Sequence, residues 1–67
     1  MEGKIFKHYK GNMYKVLCVA MHSETLEKMV IYQDIYCPAK IWARPFKMWN
    51  ETVSVNGKTV KRFEEMS

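Results

Sequence analysis

Turn-forming residues interrupt this chain so often that no segment between them can hold more than a short strand or a single helical turn. Gly11-Asn12, Cys37-Pro38, Pro45 and Asn56-Gly57 each break the backbone pattern. The most specific of these is Asn56-Gly57. It separates Thr52-Val53-Ser54-Val55 from Lys58-Thr59-Val60-Lys61-Arg62-Phe63, and Asn-Gly between two alternating runs is the strongest short-range hairpin signal. A helical bundle is excluded by this spacing, and a set of short antiparallel strands is what remains.

The other segments read the same way. Lys4 to Tyr9 is rich in aromatics and extended. Met13 to His22 is the longest apolar stretch, with Val16 and Val19 inside it, and reads as a central strand. Ser23 to Lys28 lacks a capping box, because Leu26 and Lys28 stand where Glu or Gln would be needed, so a loop joining two strands is expected. Met29 to Tyr36 alternates, with Val30, Tyr32, Asp34 and Tyr36 on one face. Ile41 to Arg44 is a short strand stopped by Pro45, and Pro45 to Trp49 suits one 3₁₀ turn. Glu64 to Ser67 reads as a frayed tail.

The chain is expected to be one domain, residues 1–67. At 67 residues it hides only about 60% of its unfolded surface. A thin core of this kind favours an architecture without open edges, so the expected fold is all-β: a small SH3-like barrel of about five strands, with one 3₁₀ turn before the last hairpin. Ile5, Val16, Cys18, Val30, Ile41, Ala43, Met48, Val53, Val55 and Val60 are the expected interior.

The runs His8-Tyr9-Lys10-Gly11-Asn12, Tyr14-Lys15-Val16 and His22-Ser23-Glu24-Thr25-Leu26-Glu27, then Tyr32, Tyr36, Trp42, Arg44-Pro45 and Met48-Trp49, resemble a bacterial family of small proteins known as domain of unknown function 1653. The likeness runs from Lys7 to Phe63, and the His-Ser-Glu-Thr and Trp-x-Arg-Pro segments are its specific parts. It implies an SH3-like barrel and carries no activity with it. The chain departs from the family pattern at Cys37-Pro38-Ala39-Lys40, where a Gly-containing turn is usual, and has Trp49 where many relatives have Phe.

Several chemistries are disfavoured. Cys18, Cys37, His8 and His22 are scattered singly, whereas a zinc site needs four ligands in close pairs, so no metal or other cofactor is expected. Two cysteines make no disulfide framework. No apolar run approaches the ~20 residues of a membrane span, and Met1-Glu2-Gly3-Lys4 has no secretory h-region, so cytoplasmic residence is expected. His22 and Ser23 are chain neighbours and point to opposite faces, so they do not form a nucleophile pair. A small enzyme would need a dimer interface or a cofactor to make a deep cleft.

Binding is the better reading. Aromatics make up 13% of the chain, more than a small barrel interior holds. Trp42 and Arg44 share a strand face, where Arg44 could stack on Trp42 or pair with Glu24, Asp34 or Glu51. His22, Glu24, Tyr32, Trp42 and Arg44 are therefore the candidate residues for a protein segment or a small polar ligand. The same residues read structurally would be an Arg–carboxylate latch ordering the Glu24 loop. If the Val30–Tyr32 face points inward, Asp34 becomes a buried acid in need of a partner such as Arg44. The net charge of +4 opens a second reading, single-stranded nucleic acid held by Lys7, Lys10, Lys15, Lys58 and Lys61 beside the aromatics. That reading requires these lysines on one face; read structurally they are a solvated surface.

Overall fold

The structure is a computed structural model that describes residues 1–66. It is all-β with one short helix. In chain order the elements are β1 (Ile5–His8), β2 (Met13–Met21), β3 (Lys28–Asp34), β4 (Ile41–Pro45), α1 (Phe46–Trp49), β5 (Thr52–Val55), β6 (Lys58–Lys61) and β7 (Phe63–Glu65). The segments between turn signals thus become strands as the sequence predicts. The final strand takes in Glu64 and Glu65, which the sequence places in a tail; Ser67 lies outside the described residues.

The strands do not close into a barrel. Five form an antiparallel sheet in the order β4-β3-β2-β1-β7, and β5 and β6 form a separate two-stranded sheet. The end strands β4 and β7 are not hydrogen-bonded to each other, so the sheet keeps two edges. The Asn56-Gly57 hairpin forms as expected, with φ of 50° and 78° at its two turn residues, the positive values that a type I′ turn requires. Because β5–β6 is a sheet of its own, it does not complete the ring of strands that would bury its valines.

The core follows from that openness. Val16 and Val30 are fully buried as predicted, but the rest of the buried set is Phe6, Trp49 and Phe63. Of the expected interior, Ile41, Ala43, Met48, Val55 and Val60 are exposed. In place of the 3₁₀ turn, α1 is a four-residue helical turn that follows β4 directly and swings Trp49 onto the inner sheet face. There the indole lies parallel to the Phe63 ring at 4.0 Å and edge-on to Phe6 at 5.3 Å. Pro45 starts this turn well, since its fixed φ suits a helix entry and it has no donor to orphan.

Register determines which side chains share that face. Val16 pairs with Tyr32, and Tyr32 with Trp42; Val30 pairs with Arg44. Between Val16 and Cys18 the register slips by one residue, which turns Cys18 to the outer face opposite Ile31. Both cysteines are free thiols, Cys18 half-buried and Cys37 exposed. Among the described residues, no helix is long and apolar enough to cross a membrane.

Candidate functional site

The inner sheet face has a covered half and an open half. Trp49 and Phe63 cover Phe6, Val16 and Val30. Beside them Tyr14, Tyr32 and Trp42, on three neighbouring strands, form a ledge of rings. Tyr14 stands edge-on to Tyr32 at 5.4 Å and to Trp42 at 5.6 Å, and Tyr32 meets Trp42 at 5.8 Å with a 33° tilt. Trp42 presents 39% of its surface to solvent, on the edge strand.

The ledge is backed by the core. Tyr32 packs edge-on to Trp49 at 5.0 Å and Tyr14 to Phe63 at 5.9 Å. Burial pushes the Tyr32 hydroxyl above its ordinary value, with Tyr14 adding to the rise and Arg44 pulling against it. Tyr32 is therefore a neutral phenol at physiological pH.

Arg44 closes the rim. Its Nη2 donates to Glu51 Oε1 at 2.9 Å, its Nε donates to the Met48 carbonyl at 3.4 Å, and its guanidinium lies 5.9 Å from the centre of the Phe63 ring. Glu51 Oε1 is also 3.7 Å from Arg62 Nε. One carboxylate thus sits between two guanidiniums, at the junction of α1 and the β5–β6 hairpin. Of the three acids the sequence offers as partners for Arg44, the structure selects Glu51.

Glu24 and Asp34 are used elsewhere. Asp34 does share the inner face, but at the end of its strand. There its Oδ1 accepts from the backbone N–H groups of Tyr36 (2.7 Å) and Cys37 (3.0 Å), capping the turn rather than pairing with Arg44. Those two bonds also explain why β3 ends at Asp34 instead of running on to Tyr36.

His22 and Glu24 lie at the tip of the β2–β3 hairpin. The Nδ1 of His22 accepts from the backbone N–H groups of Glu24 at 3.1 Å and Thr25 at 3.3 Å, so its role there is to fix the loop. The hairpin ladder ends at Lys28, four residues beyond Tyr32, or ~13 Å at ~3.3 Å per residue. The five candidate residues therefore fall into two groups: Tyr32, Trp42 and Arg44 together, His22 and Glu24 apart. Tyr14, Glu51 and Phe63 join the first group. Strand parity together with the hairpin register puts Tyr14 on the same face as Val16 and Tyr32.

The lysines also divide. Lys7 and Lys61 line one cavity of about 280 Å³ together with His8, Tyr9, Val55, Val60 and Glu64. Lys10 and Arg62 each lie 5.9 Å from the centre of the Tyr9 ring. Lys15 borders a second, smaller cavity with Ile5 and Gln33, and Lys58 is exposed just after the Asn56-Gly57 turn. His8 is held below its ordinary value, by burial first and then by the charges of Arg62, Lys10 and Arg44.

An open antiparallel sheet with an aromatic ledge beside its β4 edge strand defines a small all-β domain. The chain belongs to a family described as a protein of unknown function (DUF1653), whose model matches residues 4–65. It is similar to the crystal structure of a DUF1653 protein from Bordetella bronchiseptica, with 34% identity and a TM-score of 0.82 over 94% of this chain and 83% of that one. No curated protein matches.

Proposed function

We propose that this domain is a protein-interaction module that takes an extended segment along the β4 edge, with Trp42 as the anchor. The supporting observation is the coincidence of a free strand edge with the exposed indole. Among the described residues β4 pairs only with β3. Asp34 N–H donates to the Lys40 carbonyl at 3.0 Å, and antiparallel alternation from that bond turns the backbone groups of Ile41 and Ala43 away from β3. An added strand would meet those groups, and its alternate side chains would fall on the Tyr14–Tyr32–Trp42 ledge. In this reading Tyr32 and Trp42 touch the segment, Arg44 holds the ledge in place through Glu51, and His22 and Glu24 stay out of contact. The free thiols of Cys18 and Cys37 fit a reducing, cytoplasmic setting.

The test is selection of a phage-displayed random-peptide library on the intact domain, followed by titration of the selected peptides. Enriched peptides should lose about tenfold or more in affinity for a Trp42→Ala variant, as expected for an aromatic hot spot. Their binding should also shift the backbone amide resonances of Ile41 and Ala43. Peptides that bind Trp42→Ala as well as wild type, or a library that yields none, would overturn the reading.

A further inference from the structure

The cavity between the β1 end of the sheet and the β5–β6 hairpin lies away from the β4 edge, since β4 and β1 are separated by two strands. Its wall is built in two parts. Lys7 and Lys61 supply cations on opposite elements, and Tyr9 with Val55 and Val60 supplies an aromatic and apolar floor. Lys10 and Arg62 flank Tyr9 from outside the cavity. Glu64, which pairs with Lys7 across the sheet, adds one carboxylate. Arg62 shares Glu51 with Arg44, so three lysines face the region without an ion pair among the described residues.

We propose that this cleft binds a nucleotide, with its phosphate on Lys7 and Lys61 and its base against Tyr9, Val55 and Val60. The pairing of cations with a ring is what a nucleotide requires, because phosphate contacts give affinity and a flat apolar surface accepts any base. The charged rim excludes a purely apolar ligand. The volume of about 280 Å³ lies close to the ~300 Å³ at which sites for drug-sized ligands begin, enough for one nucleotide unit in an open cleft. Glu64 is placed to accept a hydrogen bond from a ribose hydroxyl, the role a carboxylate plays in other nucleotide sites. That one unit could be a free mononucleotide or a residue of a single strand.

The experiment uses the full chain with two probes: fluorescein-labelled oligouridylate, followed by anisotropy across a salt series, and uridine monophosphate, followed by amide chemical shifts. Binding of the oligonucleotide alone marks a strand-binding cleft, and binding of the mononucleotide as well marks a nucleotide pocket; both support the proposal. The double variant Lys7→Gln/Lys61→Gln should weaken oligonucleotide binding and lower the slope of log affinity against log salt by about 0.7, the value for one phosphate of a single strand. Tyr9→Ala should weaken binding roughly tenfold by loss of stacking. Lys40→Gln/Lys47→Gln removes the same charge outside the cleft and should change little. Trp42→Ala should leave nucleotide binding intact, so this proposal and the peptide reading fail separately. An equal loss in the Lys40/Lys47 control means diffuse attraction to the whole surface and overturns the cleft. So does the absence of any signal from either probe at low salt.

Discussion

Glu51 is the residue whose removal most directly tests how the ledge is held. Its carboxylate accepts the 2.9 Å hydrogen bond from Arg44 and sits 3.7 Å from Arg62 Nε. A hydrogen bond to a charged group contributes about 1.5–3 kcal/mol when shielded from water, and a fully exposed ion pair about 0–1 kcal/mol. The two side chains are 23% and 39% exposed, which places the Arg44–Glu51 pair between those limits, at about 1–2 kcal/mol. Glu51→Ala also leaves Arg62 Nε worse off, because that buried atom has no hydrogen-bond partner among the described residues and loses its nearby anion. The total expected loss is about 2 kcal/mol. A domain of this length has about 3–10 kcal/mol of stability in all, so the loss is a large share. It corresponds to a fall in Tm of about 8–16 °C. Urea unfolding followed by tryptophan fluorescence reads this directly. In the double-mutant cycle, Arg44→Ala and Glu51→Ala together should cost less than the sum of the two single variants, by about the 1–2 kcal/mol of the pair. A Glu51→Ala variant within about 0.5 kcal/mol of wild type, the range of an ordinary surface substitution, would refute the latch, as would strict additivity of the pair.

Three further outcomes follow from the packing. Trp49→Ala should leave the chain unfolded or nearly so in a circular-dichroism melt, since such a truncation costs about 3–5 kcal/mol and Trp49 is fully buried against Phe6 and Phe63. Trp49→Phe should be far milder, because it also removes an indole Nε1 that is buried with no hydrogen-bond partner among the described residues. Leu26 holds φ of 60° while 67% exposed, and Leu26→Gly should raise stability by about 1 kcal/mol in urea unfolding by relieving the left-handed backbone. His8 is held below its ordinary 6.5 in the fold, so the folded state favours its neutral form. Its contribution is complete above pH 6.5 and is lost as pH falls below that value, and His8→Gln should flatten the urea-midpoint profile on that acid side.

Local chemistry was readable from residue order wherever a short-range rule applied. Asn56-Gly57 encodes its own turn, and Trp42 and Arg44 share a face because strand side chains alternate. What could not be read depended on pairing between distant segments. Glu64 and Glu65 look like the start of a frayed tail, and join Phe63 in a strand only because the β1 edge is there to receive them. Phe6 and Trp49 are buried because the sheet stays open and α1 folds over it, while Val55 and Val60 stay exposed in a hairpin that forms its own sheet. Turn capping by His8 and His22, each with Nδ1 accepting backbone N–H, escapes rules that look for Asp, Asn, Ser or Thr at such positions.

The same openness accounts for the surplus of aromatics. A closed barrel would have had to bury them or scatter them over its outside. Here Phe6, Trp49 and Phe63 fill the covered half of the inner face, and Tyr14, Tyr32 and Trp42 continue the same ring-to-ring packing into the open half. The ledge is thus the uncovered rim of the core, with its rings already fixed by their neighbours. Ordering an interfacial side chain costs about 0.5–1.5 kcal/mol on binding, and rings held in advance avoid much of that cost. Loosening the rim should therefore weaken peptide binding without removing any contact. Glu51→Ala, which removes none of the ledge rings and meets β4 only through the Arg44 side chain, should then speed dissociation of a selected peptide under conditions where the variant remains folded. An unchanged dissociation rate would mean that the ring-to-ring packing alone holds the ledge and that the Arg44–Glu51 pair serves only the fold.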